Sequence, residues 1–94
     1  MLAFLAGCAT PVPRPTQADV LRAAGSRPRT TLAELEHGRA RYVSRCSNCH
    51  RPYPPSQYRP DAWHAQVDAM AERAKLGAED RASIVLYLVT LSER

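Results

Sequence analysis

The sequence predicts an all-α fold: a compact unit of three helices over residues 30–94. Three observations carry that expectation. Apolar residues recur at spacings of three and four in three separate stretches, and no stretch alternates apolar with polar residues as a half-buried strand would. Between the first and second of these, residues 51–60, RPYPPSQYRP, hold four prolines, too many for helix or sheet, and read as a stiff loop.

The first helix opens at Thr31-Leu-Ala-Glu34. This is a capping box, with the Thr hydroxyl reaching forward to a free amide and Glu34 reaching back. Leu32, Leu35, Tyr42 and Val43, with Gly38 and Ala40 between them, form an apolar face that runs to the cysteines. The second helix begins at Arg59-Pro60-Asp61, where proline lacks only an amide proton that would have had no partner and Asp61 complements the positive helix end. Trp63, Val67, Met70, Ala71 and Ala74 then repeat at helical spacing up to Gly77, read as the stop. A third helix is expected from about Ala78 to Ser92, with Glu79 and Asp80 in its first turn and Ile84, Val85, Leu88 and Leu91 as its buried stripe.

Residues 9–29 carry four prolines and few large apolar side chains. They read as a linker with one marginal helical turn near Val20 to Ala24, a tether of roughly 25 Å if it behaves as a flexible coil. Residues 1–8, MLAFLAGC, place Leu5-Ala6-Gly7 directly before Cys8, which resembles the cleavage box of bacterial lipoproteins, where the cysteine becomes the acylated first residue. The segment is shorter than a complete signal peptide and lacks a basic start, so it is read as truncated. No stretch approaches the ~18 apolar residues of a membrane span, so any membrane association is expected through Cys8.

Thirteen Lys and Arg face nine Asp and Glu, a formal net charge of +4. The arginines are scattered, with no basic stripe interleaved with aromatics, which argues against nucleic-acid binding. Arg41, Arg45, Arg51 and Arg59 flank the stretch Cys46-Ser-Asn-Cys-His50. A folding unit of some 60 residues buries only about 60% of the surface its unfolded chain exposes, so something besides side chains is expected in the core.

Cys46-x-x-Cys49 followed at once by His50 has three chemical readings. A redox dithiol needs a helix N-terminus in a βαβ setting, whereas this pair ends a helix in a chain without strands. A structural zinc site needs four ligands, and Cys46 and Cys49 would have to recruit His37 or His64. Haem explains more: sulfurs three residues apart lie on one side of a helical turn and can take thioether links to two vinyl groups, while His50 is placed to meet the iron. Cys46, Cys49 and His50 are therefore the candidate attachment and ligand residues for one covalently bound haem c. Apart from Met1, Met70 is the only methionine, and it is the candidate second iron ligand. His64 is its rival, although it points off the Trp63, Val67 and Met70 stripe, and an open sixth position is the third possibility.

With these residues in place, Thr31 to Leu91 resembles a small class I cytochrome c domain, especially the short bacterial versions found as lipoproteins or as dehydrogenase subunits. Gly38-Arg-Ala-Arg-Tyr42 ahead of Cys46-Ser-Asn-Cys-His50 is similar to that family's first helix, and Trp63 to Met70 with Glu79, Ile84 and Tyr87-Leu88 to its second half. The resemblance implies that Gly38 and Tyr42 pack against Tyr87 or Leu88 where the terminal helices cross. It implies an electron carrier rather than an enzyme, periplasmic and anchored through Cys8, with Ala9 resembling outer-membrane sorting. Redox partners with acidic docking surfaces would meet the arginines around the site. A haem-based sensor or enzyme with an open sixth site, or an electron-entry subunit of a larger oxidoreductase, is the competing expectation.

Overall fold

The computed structural model describes residues 12–46 and 52–94, so Cys8, Cys49, His50 and Arg51 lie outside the described residues. These residues form four helices: α1 (Gln17–Ala23), α2 (Leu32–Cys46), α3 (Pro60–Ala74) and α4 (Ala78–Ser92), with a 3-10 turn at Pro55–Gln57. Among the described residues there is no strand. The all-α class is as expected, but the count is one more than three, because α1 folds within the stretch read as a linker.

Helix α2 starts as its sequence dictates. The Glu34 amide donates to Thr31 Oγ1 and the Thr31 amide to Glu34 Oε1, both at 3.1 Å. At the other end of α3 the expectation was wrong about the stop. Lys75, not Gly77, takes the left-handed conformation (φ 56°, ψ 49°), and the Leu76 amide closes on the Ala71 carbonyl at 2.9 Å. Gly77 instead precedes α4 in extended backbone. A lysine there carries a strain that glycine would avoid.

Helix α4 is the element against which the others pack, and α2 and α3 both lean on it rather than on each other. Ile84, Tyr87, Leu88, Val89, Thr90 and Leu91 are all buried on α4, more than one stripe can account for. The closest approach is at Gly38. A Cβ there would land on the Ser83 carbonyl oxygen and within 2.9 Å of Tyr87 Cβ, so only glycine allows the two helix backbones to meet. Tyr42, one turn on, packs its ring 6.3 Å from that of Tyr87. Both contacts fall where the resemblance placed them.

The extra burial on α4 comes from the arm, residues 12–29. Where a tether was expected, Val12, Asp19 and Ala23 are buried. Thr16 precedes α1 and its amide donates to Asp19 Oδ2 at 2.7 Å, which aligns the first turn. Asp19 also accepts from Arg22 at 2.6 Å and from Arg94 at 2.9 and 3.0 Å, tying the arm to the C-terminal end of the chain. Arg22 and Arg27 reach on to the Thr90 carbonyl and hydroxyl, which is why a threonine is fully buried there. Burial alone would raise the Asp19 pKa. The hydrogen bonds from Arg94, Arg22 and the Thr16 amide outweigh it and hold the carboxyl well below the usual carboxylate range.

Two outcomes follow for stability. Gly38→Ala gains about 1 kcal/mol of helix propensity, but the Ser83 carbonyl is fixed backbone that cannot swing aside. The variant should lose about 2 kcal/mol or more net, read as a lowered urea midpoint. Asp19→Asn should cost about 2 kcal/mol at neutral pH, since its arginine partners are partly solvated. The Asp19 pKa is depressed on folding, so its contribution is fully present above the unfolded value of about 3.9 and is lost as pH falls through the folded value. The gap between wild type and variant in denaturation should therefore hold steady from neutral pH down to about pH 5 and narrow below about pH 4.

Candidate functional site

Helix α2 delivers Cys46 as its last residue, 5% exposed. It joins one cluster with Tyr42, Trp63, Val67, Ile84, Tyr87 and Leu88, drawn from α2, α3 and α4. The Tyr42 and Trp63 rings meet edge to face at 6.3 Å, which bridges α2 and α3 over the face of α4. Trp63 and Val67 are the buried residues of α3, and Met70 continues their stripe at a spacing of three, half-buried. The described half of the candidate site is thus a sulfur at a helix end, set in an aromatic and aliphatic cluster drawn from α2, α3 and α4, with Met70 three residues beyond Val67 on α3 and outside that cluster.

The loop after the cysteines is tied to the same cluster. Tyr42 Oη donates to the Tyr53 carbonyl at 2.7 Å, and Trp63 Nε1 donates to the Pro55 carbonyl at 2.8 Å. Tyr42 and Trp63 thus each find an acceptor for their one polar group in the proline-rich loop. Tyr58 packs edge to face on Trp63 at 5.0 Å and on Tyr53 at 6.1 Å. Burial first, then the neighbouring Cys46, pushes the Tyr42 phenol well above its ordinary pKa. Burial pushes Tyr87 up to about 12. Both hydroxyls therefore remain donors across the physiological range.

The rival ligands are placed elsewhere. His64 is exposed and lines an open groove of about 480 Å³ between α3 and α4, with Asp68, Arg81, Val85, Val89 and Arg27 of the arm. Helical register puts it off the Trp63 and Val67 face, as the sequence indicated. His37 is exposed on α2 and acts electrostatically on Asp80. Among the described residues no group of three or more His, Cys, Asp and Glu converges.

The arginines beside the site are less bare than the sequence suggests. Arg41 pairs with Asp80 at 2.9 Å, Arg45 stands 3.7 Å from the same carboxylate, and Arg59 pairs with Asp61 at 3.1 Å. Hydrogen bonding from Arg41 depresses the Asp80 pKa, and from Arg59 that of Asp61, so both acids stay charged. Sequence reasoning missed the Asp19, Arg22 and Arg94 clasp. The signal available was Thr16-x-x-Asp19, a capping pattern with Asp in place of the usual Glu or Gln.

Comparisons with known protein families, with curated proteins and with solved structures find no match for this chain. Among the described residues no helix is long and apolar enough to cross a membrane.

Proposed function

We propose that the chain is a mono-haem c-type cytochrome, a one-electron carrier rather than an enzyme. The observation that carries this reading is the burial of Cys46, first cysteine of the C-x-x-C-H motif, in an aromatic cluster that includes Trp63 and Val67 of α3, the helix that also carries Met70. The donor set suits the group: two thiols for the thioether links, an imidazole at His50, and a soft thioether at Met70. Cys46, Cys49 and His50 would hold the haem, with Met70 as second iron ligand. When bound, the haem supplies one-electron exchange between Fe(II) and Fe(III).

The chain's own residues do the rest. Trp63, Val67 and Tyr42 exclude water from the Cys46 side, and a low-dielectric wall together with sulfur ligation favours the reduced state and raises the potential. Tyr42 and Trp63 pin the proline loop, which keeps the segment after the cysteines from drifting. Arg41 and Arg45 share one carboxylate, leaving a cationic excess near the end of α2 that would steer acidic redox partners. Acylation at Cys8 would hold the protein on the periplasmic side of a membrane, the outer membrane slightly favoured by Ala9.

The ligand assignment is tested by optical spectra of the matured protein with and without carbon monoxide. The wild-type ferric form should show the far-red sulfur-to-iron band, and Met70→Ala should lose it while keeping its haem. Reduced wild type should bind carbon monoxide slowly or not at all at neutral pH. Prompt binding, with a spectrum unchanged in Met70→Ala, would instead favour an open sixth site and a sensor or enzyme. Stoichiometric co-purification with a dehydrogenase or oxidase would make it an entry subunit.

A further inference from the structure

Three consecutive backbone carbonyls of the arm are held by side chains of the helical unit. Arg39 Nε donates to Val12 at 3.1 Å, the Tyr87 hydroxyl donates to Pro13, and the Arg94 guanidinium donates to Arg14 at 3.1 Å. The Val12 side chain is 3% exposed. The chain therefore enters the folded unit at a fixed place. Cys8 precedes Val12 by four residues, a separation of at most about 14 Å however the intervening chain runs. A free linker through residue 29 would have allowed roughly 25 Å on average and far more at full stretch.

The surface at this entry point is cationic. Arg14 is exposed, Arg39 is half-buried, and the Arg22 and Arg94 side chains are 31% and 42% exposed. Asp19 lies beneath them, 1% exposed, paired with Arg22 and Arg94 at once. Arg39, Tyr87 and Arg94 donate to three consecutive carbonyls, which places them around one point. Elsewhere four arginines each meet an acid: Arg27 with Glu93, Arg41 with Asp80, Arg59 with Asp61, Arg81 with Asp68. Where the chain arrives from Cys8, four arginines, Arg14, Arg22, Arg39 and Arg94, stand with one acid, Asp19.

We propose that this face, with Arg14, Arg39 and Arg94 around the Val12–Arg14 entry, is a membrane-docking surface that rests on anionic phospholipid headgroups. The inference deepens the lipid-anchor reading of Cys8 and rests on it for the short distance. An anchor this close brings the arginines within reach of headgroup phosphates, and each basic side chain at an anionic surface tightens binding about fivefold. Acyl chain and basic patch then act as two signals for one attachment. Cys46 lies seven residues beyond Arg39 on α2, about 10 Å along the helix axis. Docking by this face would therefore set how far the Cys46 end stands from the lipid.

The test uses the full-length chain with Cys8→Ser, which removes acylation, in co-sedimentation with phosphatidylcholine vesicles with and without phosphatidylglycerol. Phosphatidylglycerol should tighten binding at least about fivefold, and added salt should remove the gain. Arg14→Glu should also remove it, and should fold normally because the structure uses only its carbonyl. Arg59→Glu, a reversal at an exposed site at the start of α3, should leave most of the gain. No gain from phosphatidylglycerol, or equal loss in the two variants, overturns the proposal. Acylation is read separately, from the intact mass of the membrane-matured chain. An unmodified Cys8 beside a retained phosphatidylglycerol gain removes the anchor and leaves the basic face, whereas an acylated Cys8 with no gain removes the face and leaves the anchor.

Discussion

The contact on which the rest of the structure depends is the crossing of α2 and α4 at Gly38, where the α2 backbone lies directly against Ser83 and Tyr87. A small domain has few ways to build a core, and bringing two helix backbones together lets side chains on either side of the crossing interdigitate. Tyr42 meets Tyr87 one turn along, and Cys46 comes to the cluster one turn after that. The same approach that stabilises the fold therefore places the cysteine. Moving the two helices apart by the width of a methyl group would shift the ring of Tyr42, and with it the bond to the Tyr53 carbonyl that fixes the loop.

A second constraint is electrostatic. One buried carboxylate, Asp19, binds a side chain from α1, the C-terminal arginine and the backbone at the start of α1. Isolated, such a group would be costly to bury; with several donors it becomes a junction. It joins the arm to the far end of α4, so both ends of the described chain are closed onto the same element. The expected tether becomes part of the domain, and the surface beyond it gains a basic character that composition alone could not localise.

Most helix bounds were legible because they follow from local rules, a capping box at Thr31 and Glu34 and proline at position 60, whereas the α2–α4 contact at Gly38 was expected only from the resemblance. Two things were not. The stop of α3 at Lys75 runs against residue preference, since tertiary context holds a lysine where glycine is favoured. The arm was hidden because its few apolar residues, Val12 and Ala23, bury little surface of their own and are held by hydrogen bonds to carbonyls, which leave no periodic pattern. At the candidate site, Cys46 and the Trp63, Val67 and Met70 stripe could be read from spacing, whereas the aromatic ties to the proline loop depend on loop geometry that spacing does not encode. Cys49 and His50 lie outside the described residues, so their part of the reading rests on the motif.

The measurement that tests the central claim most directly is the intact mass of the chain after maturation in a host that attaches haem in its periplasm, compared with a Cys46→Ala, Cys49→Ala double variant. The account predicts that wild type carries the mass of one haem that survives denaturation and organic extraction, and that the double variant does not. A wild-type mass equal to the bare polypeptide, in a host that matures other c-type cytochromes, would contradict it.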